Sequence, residues 1–239
     1  MFDNLSSTEK LNQWIAKSIK ECKASYPILP NKLNIAVDIG ANVGGFCVYA
    51  QEYFKKIYAF EPLVENFAIL EQVLEHCQIN NVEAYNTAIY SESGKELPLK
   101  LFGENCSGNV TCAQFDSHKL VETKQTCETI SLNDMFEALN IRHIDYLKLD
   151  CEGSEYEILE NFNDYDKISL ICMEIHTFFG DNRKLDLLKK LTKNYYFLSM
   201  EKNGSFTLKQ MVDNARQDVS FYKDISNVFL INKKGLMER

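Results

Sequence analysis

The most constraining feature of this chain is an apolar stretch that ends at an acid and runs into a glycine-rich turn. Residues 34–45 read NIAVDIGANVGG in one-letter code, and a helix-forming segment, 46–54, follows. This pattern predicts a strand, a tight turn and a helix, the first unit of an α/β domain that binds a nucleotide-like ligand. Glycines let the backbone approach a ligand closely, and the free N–H groups of the next helix point to the same place.

The details of this turn distinguish between cofactor classes. Gly40 is followed by Ala41 and Asn42, so the spacing departs from the G-x-G-x-x-G pattern of NAD-binding proteins. Asp38, at the end of the predicted strand, would repel a pyrophosphate but would pair with an amine. Both features favour S-adenosylmethionine, which carries an amino-acid end and no phosphate, over NAD.

Composition excludes several classes of partner. The 239 residues carry a net charge of −8, which argues against nucleic acid as the main partner. The start of the chain has no basic segment before an apolar one, and no apolar run approaches the roughly 18 residues of a membrane span. The eight cysteines form no C-x-x-C pair, which indicates reduced, buried thiols rather than zinc ligands. We therefore predict a cytoplasmic protein without a membrane or nucleic-acid partner.

Predicted strands alternate with predicted helices along the chain, which specifies an α/β fold with a doubly wound, mostly parallel sheet. We interpret residues 1–239 as a single domain. An N-terminal helix lies within 1–30, and the cofactor-binding core spans 34–176. Two segments, 103–122 and 201–227, have no place in the sheet. Segment 201–227 is a candidate substrate cap, and a surface flap or the contact of a homodimer is the alternative.

Glu61 is a candidate ligand for a ribose. It stands 21 positions after Gly40, at the carboxyl end of the second predicted strand. An acid at this point can accept hydrogen bonds from both ribose hydroxyls of a bound nucleoside. The alternative is a solvated carboxylate before a turn, and the glycine turn upstream favours the ribose role.

Charged residues alternate at the ends of two later strands. Lys148, Asp150 and Glu152 follow one another at a period of two, and Glu174 and His176 repeat the pattern. A lysine in a strand covered on both faces needs a carboxylate partner, for which Asp150, Glu152 and Glu174 are the candidates. A structural ion pair is the alternative interpretation. Because ligands bind at the carboxyl ends of such strands, we interpret Lys148, Asp150, Glu152 and His176 as candidate catalytic residues.

These motifs together resemble the FkbM-type family of class I S-adenosylmethionine-dependent methyltransferases. The string LKLDCEGSE at 147–155 carries the most specific part of the resemblance. The matching segments follow the order of the family and are 37–44, 60–62, 131–134, 145–155 and 173–176.

The resemblance implies a Rossmann-like, seven-stranded, mostly parallel sheet with a late antiparallel strand, the class I methyltransferase architecture. It implies methyl transfer, usually to an oxygen. It also assigns S-adenosyl-L-methionine contacts to seven residues. The amino-acid end would be held by Asp38, Gly40, Asn42 and Gly44, the ribose by Glu61, and the adenine by Asn86 and Ala88.

Methyl transfer to a hydroxyl needs in-line alignment with the sulfonium methyl and removal of the hydroxyl proton. Asp150, Glu152 or His176 could serve as the base. Alternatively, Asp150, Glu152, Glu174 and His176 could hold a divalent metal such as Mg²⁺ or Mn²⁺, because they offer carboxylate oxygens and an imidazole. The sequence leaves metal-free and metal-assisted catalysis equally open.

The acceptor expected from the resemblance is a hydroxyl of a sugar, a nucleotide-activated sugar or a similar polar small molecule, in glycan or natural-product decoration. Two other functions share the architecture. One is an NAD- or nucleotide-sugar-dependent oxidoreductase, against which the glycine spacing and the 148–152 string speak. The other is a catalytically silent, methyltransferase-like partner subunit, against which the intact set of site residues speaks.

Overall fold

A computed structural model describes residues 8–28, 32–102, 110–113, 120–176, 181–200, 206–207 and 227–234. Helices and strands alternate over these residues. The helices are α1 (Thr8–Ser25), α2 (Gly45–Ala50), α3 (Val64–His76), α4 (Leu132–Ala138), α5 (Glu155–Asn161) and α6 (Asp181–Leu191). The strands are β1 (Leu33–Ile39), β2 (Phe54–Phe60), β3 (Val82–Tyr85), β4 (Ala88–Tyr90), β5 (Glu96–Phe102), β6 (Val110–Thr111), β7 (Leu120–Ser131), β8 (Ile144–Leu149), β9 (Ile168–Glu174), β10 (Tyr195–Met200), β11 (Phe206–Thr207) and β12 (Asn227–Asn232).

The main sheet has the strand order β3-β2-β1-β8-β9-β12-β10, and the two-residue strand β11 extends it beyond β10. Strand β12 runs antiparallel to both of its neighbours, β9 and β10, whereas the pairs from β3 to β9 are parallel. The predicted doubly wound, mostly parallel seven-stranded sheet with a late antiparallel strand is confirmed. The strand order reverses between β1 and β8, so the crevice for a ligand opens at the carboxyl ends of these two strands.

The central strands are buried on both faces, which explains their nearly continuous apolar runs. Along β1, Ala36 packs in one apolar cluster with Phe46 of α2 and Leu70 of α3. Its neighbour Val37 points to the opposite face and packs in a second cluster with Met135 of α4. Helices therefore cover both faces of the sheet, and the strand ends are left as the place for a site.

The N-terminal helix α1 packs against the sheet-covering helices through its apolar residues. Leu11, Trp14, Ile15 and Ile19 of α1 are partly buried against the cluster that contains Phe46. None of the described helices is long and apolar enough to cross a membrane. Most of the candidate cap 201–227, and residues 103–109 and 114–119 of the other unassigned segment, lie outside the described residues.

A second, four-stranded sheet with the order β4-β7-β5-β6 adjoins the main one. The chain leaves the main sheet after Tyr85, and Ala88–Tyr90 pairs with β7 instead. The Asn86 side chain holds this break in place by donating hydrogen bonds to the carbonyl oxygens of Glu61 (2.9 Å) and Pro62 (3.0 Å). The small sheet has its own apolar cluster, which includes Leu99.

The turn after β1 brings three strand ends into close approach. Gly40 has a left-handed φ of 77°, and its N–H donates to the carbonyl oxygen of Phe60 at 3.0 Å. A Cβ atom at Gly40 would lie 1.9 Å from the carbonyl oxygen of Asp150. Glycine is therefore required by the space as well as by the backbone conformation.

We predict that Gly40→Ala lowers the free energy of unfolding by at least about 3 kcal/mol, because the left-handed backbone costs about 1–2 kcal/mol and the clash with Asp150 adds to it. Gly94 is the matched control, since it has a similar φ of 71° but no atom within 4 Å of an added Cβ. Gly94→Ala should cost only the backbone part. Urea unfolding of both variants measures the difference, and equal losses would contradict the steric argument.

Candidate active site

A cavity of about 320 Å³ opens at the carboxyl ends of the central strands. Its lining comes from the turn after β1, from the end of β2, from the start of β4, and from the segments that follow β8 and β9. Eight of the predicted site residues line it together: Gly40, Asn42, Glu61, Ala88, Asp150, Glu152, Glu174 and His176. Four others, Asp38, Gly44, Asn86 and Lys148, do not belong to the lining.

Glu61 is buried, with 3% of its surface exposed. Its Oε1 accepts hydrogen bonds from the backbone N–H of Leu63 (2.9 Å) and the side chain of Asn66 (3.4 Å), and its Oε2 accepts one from the N–H of Asn42 (2.8 Å). Burial raises the pKa of Glu61 to about 7, although these hydrogen bonds oppose the rise. The interpretation as a solvated carboxylate is therefore wrong, and the side chain is held rigidly at the cavity wall.

Gly44 contributes to packing rather than to the cavity wall. Its φ is 88°, and an added Cβ would lie 2.6 Å from Cδ1 of Leu70. Glycine at this position lets α2 start close against α3. The turn from Gly40 to Gly44 thus combines one close approach to β8 with one close approach to a helix.

Lys148 and Asp38 form a buried ion pair behind the cavity. The Lys148 Nζ donates to Oδ1 of Asp38 (2.8 Å) and to the carbonyl oxygen of Gly40 (2.9 Å). It also lies 5.2 Å from the ring centroid of Tyr26. The predicted hydrogen-bonding partner was a carboxylate later in the chain, such as Asp150, and this prediction is wrong.

The register of the sheet explains this partner. Asp38 and Lys148 are paired residues on the adjacent parallel strands β1 and β8, so their side chains stand next to each other on one face. Asp150 comes after the end of β8, where the chain turns into the loop before α5. The amine that pairs with Asp38 in this structure therefore belongs to the protein itself.

His176 lies between two glutamates. Its Nδ1 is 3.1 Å from Oε1 of Glu155, and its Nε2 is 3.2 Å from Oε2 of Glu152. Burial alone would lower the pKa of His176, but the hydrogen bond to Glu155 and the nearby carboxylates raise it to about 9. Burial raises the pKa of Glu152 to about 7, against the opposing effect of His176.

Glu152 reaches the cavity through an unusual backbone turn. Glu152 and Gly153 both have left-handed φ values, 53° and 104°. A non-glycine residue in this conformation is uncommon. The turn directs the chain from the end of β8 into α5 and leaves Glu152 in the cavity wall beside Asp150.

Two residues of the site were missed by the sequence interpretation. The hydroxyl of Tyr26, which follows α1, donates to Oδ2 of Asp150 at 2.5 Å, and no motif around Tyr26 signals this. Glu155 is fully buried, and its Oε1 accepts from the N–H of Cys151 at 3.1 Å. Glu155 lies inside the string 147–155, so its motif was visible although its role beside His176 was not.

Asp150, Glu174 and His176 each offer one ligand atom, and these atoms lie within 4.8 Å of one another. This is the spacing of groups that can share one metal ion. Glu152, the fourth member of the predicted metal set, instead contacts the imidazole of His176.

Known proteins share parts of this sequence and fold. The chain is 26% identical over 165 residues to Methyltransferase 1 of Beauveria bassiana, which covers 61% of this chain and 66% of that protein. It is 26% identical over 147 residues to the hexuronic acid methyltransferase AglP of Haloferax volcanii, covering 58% of this chain and 54% of AglP. The chain thus matches about half to two thirds of the length of these relatives.

The structure of precorrin-6y C5,15-methyltransferase from Geobacter metallireducens is similar with a TM-score of 0.44 at 11% identity, covering 97% of this chain and 94% of that one. The family model of the methyltransferase FkbM domain matches residues 38–203. This match takes in the glycine turn, Glu61 and the acidic residues of the cavity, and it spans well over half of the sequence. The chain belongs to the FkbM methyltransferase domain family.

Proposed function

We propose that this chain is an S-adenosylmethionine-dependent methyltransferase that acts on a hydroxyl of a sugar, a nucleotide-activated sugar or a similar polar small molecule. One observation carries the proposal. A single cavity at the reversal of strand order brings Gly40 and the buried Glu61 together with Asp150 and His176. Membership of the FkbM domain family supports the methyl-transfer chemistry.

The cofactor would occupy the side of the cavity formed by β1, β2 and the start of β4. Glu61 accepts three hydrogen bonds from the protein, and the remaining lone pairs of its two oxygens can accept the ribose hydroxyls. Gly40 and Asn42 would border the amino-acid end, and Ala88 the adenine. Asp38, Gly44 and Asn86 support this surface from behind.

The acceptor would enter on the side of Asp150, Glu152 and His176. In the reaction, the acceptor oxygen forms a bond to the methyl carbon while the carbon–sulfur bond breaks, and the electron pair of that bond returns to sulfur. The hydroxyl proton passes to a base. Both ring nitrogens of His176 already face carboxylates, so Asp150 and Glu152 are the better placed acceptors of this proton. Lys148 acts as a positioning residue through Asp38 and Gly40.

The sugar acceptor rests on the relatives rather than on the cavity. AglP is named as a hexuronic acid methyltransferase, and it is 26% identical to this chain. The polar lining of the cavity is compatible with a polyhydroxylated small molecule. An oxidoreductase would need the NAD-type glycine spacing that this turn lacks, and a silent partner subunit would not need the acidic cluster.

Calorimetry with S-adenosylhomocysteine should show binding at one site, and Glu61→Gln should weaken it by about 1–3 kcal/mol. The substitution replaces one acceptor oxygen with a donor, so a ribose hydroxyl or a backbone N–H loses its partner. Glu83→Gln is the control, because Glu83 is exposed and pairs with Lys56 away from the cavity. A wild-type protein that ignores S-adenosylhomocysteine but binds NADH would refute the proposal.

Glu61 should also make the stability of the ligand-free protein depend on pH. The folded-state pKa of about 7 exceeds the ordinary value of 4.5, so the folded protein binds this proton more tightly than the unfolded chain. The unfolding free energy should therefore fall by about 3 kcal/mol on this account as the pH rises from about 4.5 to 7.

Glu61→Gln removes this titration, so its stability relative to wild type should improve by up to that amount between about pH 5 and pH 8. Urea unfolding of both proteins at the two pH values measures this. A difference in stability that stays constant with pH would show that Glu61 ionises normally.

Turnover should require the acidic cluster. Asp150→Asn and His176→Ala should each lower kcat by about 100-fold or more, with affinity for S-adenosylhomocysteine little changed. The assay measures S-adenosylhomocysteine release with free and nucleotide-activated sugars, catechols, carboxylates and short peptides, and Glu83→Gln again serves as the control. Full activity of both variants would reduce the cluster to a structural ion network, and turnover on a peptide or an amine alone would end the sugar proposal.

A further inference from the structure

We infer that Asp150, Glu174 and His176 bind one divalent cation of the Mg²⁺ or Mn²⁺ class at the acceptor side of the cavity. This inference deepens the proposed function. The cation site itself is argued from geometry, and only the role of the cation toward the acceptor rests on the proposed function. The site uses three of the four residues in the metal set predicted from the sequence and leaves out Glu152.

The spacing of the three ligands suits a single ion. Opposite ligands of an ion bound at about 2.0–2.2 Å are roughly 4.2 Å apart, and the three ligand atoms here lie within 4.8 Å of one another. The strand register produces this spacing. Leu149, the last residue of β8, pairs with Met173 of β9, so Asp150, the first residue after β8, follows beside Glu174, the last residue of β9.

His176 is oriented for coordination by groups outside the ligand set. Oε1 of the buried Glu155 holds Nδ1 of the imidazole at 3.1 Å, and the hydroxyl of Tyr156 donates to the carbonyl oxygen of His176 at 2.7 Å. A carboxylate on one ring nitrogen is the usual support for a histidine that binds metal through the other. Nε2 faces the cavity and lies 3.2 Å from Oε2 of Glu152, so an ion bound at Nε2 would take the place of that contact.

The carboxylate of Asp150 is also oriented by a group outside the ligand set. The hydroxyl of Tyr26 donates to its Oδ2, which leaves Oδ1 available as a ligand. Tyr26 belongs to the segment after α1, so this contact ties the N-terminal part of the chain to the site. The hydrogen bond fixes the rotation of the carboxylate and lowers the conformational entropy lost on binding an ion.

The charge of the cavity independently favours a cation. Four carboxylates, those of Glu61, Asp150, Glu152 and Glu174, line it, and none of the described lining residues is a lysine or an arginine. Carboxylates that are partly shielded from water and outnumber their cationic partners repel one another, and a divalent ion offsets this repulsion. Glu155 adds to the negative charge, and its buried Oε2 has no hydrogen-bond partner among the described residues.

A cation held by three protein ligands keeps open positions for water or for acceptor oxygens. It would lower the pKa of a bound hydroxyl and so ease the loss of its proton. Glu152, which is not among the three ligands, remains beside the site to receive that proton.

The test is a titration of the 239-residue chain with Mn²⁺, in which binding is measured as the loss of the electron paramagnetic resonance signal of the free ion. We expect one Mn²⁺ per chain, displaced by excess Mg²⁺. Asp150→Asn and Glu174→Gln should each weaken binding by at least about tenfold. Glu83→Gln, a surface carboxylate that pairs with Lys56, should bind Mn²⁺ like wild type.

Calorimetry with S-adenosylhomocysteine in the presence of a chelator shows whether each variant is folded. Absence of Mn²⁺ binding by wild type up to about 1 mM, or wild-type affinity in both ligand variants, would overturn the inference. The two proposals fail separately. Mn²⁺ binding without S-adenosylhomocysteine binding would refute the cofactor and leave the cation site, and the reverse result would remove the cation site alone.

Discussion

The fold and the site both depend on the buried ion pair between Lys148 and Asp38, at the junction of β1 and β8. Two buried charges cost several kcal/mol each unless they are paired and hydrogen-bonded. Here the lysine also binds the carbonyl oxygen of Gly40, so one amine joins two strands and the turn that follows the first. Because the strand order reverses at this junction, the pair that stabilises the sheet also positions the turn beside the cavity.

The two sides of the cavity differ in how the charges of their carboxylates are balanced. On the β1 and β2 side, the acid Glu61 is matched by backbone and side-chain donors, and the turn through Asn42 is locked to it. On the β8 and β9 side, Asp150, Glu152 and Glu174 line the cavity with one histidine, His176. The first side is satisfied without a ligand, whereas the second carries an excess of negative charge that a ligand can relieve.

The sequence predicted the features that depend on local residue patterns. It did not predict the contacts that depend on how neighbouring strands are aligned. The apolar runs that give β1 and β8, and the glycine turn after β1, were visible because burial on both faces and left-handed backbone leave a residue signature. The partner of Lys148 was not visible, since it depends on which residue of the adjacent strand lies opposite. The small sheet was missed for the same reason, because β5 and β7 pair across a long separation. Tyr26 reaches Asp150 only through the packing of α1.

In the proposed reaction, the excess of negative charge in the cavity has one favourable and one unfavourable effect. The sulfonium of S-adenosylmethionine is a cation, and its charge disappears as the methyl group leaves. Carboxylates near the sulfur therefore favour the cofactor over its product, but they also stabilise the ground state more than the transition state. A divalent ion held by Asp150, Glu174 and His176 would offset that charge and place a positive centre beside the acceptor oxygen, where negative charge develops. In this arrangement Asp150 and Glu174 would be occupied as metal ligands, and Glu152 would accept the proton. Charge stabilisation and proton removal would then belong to different residues.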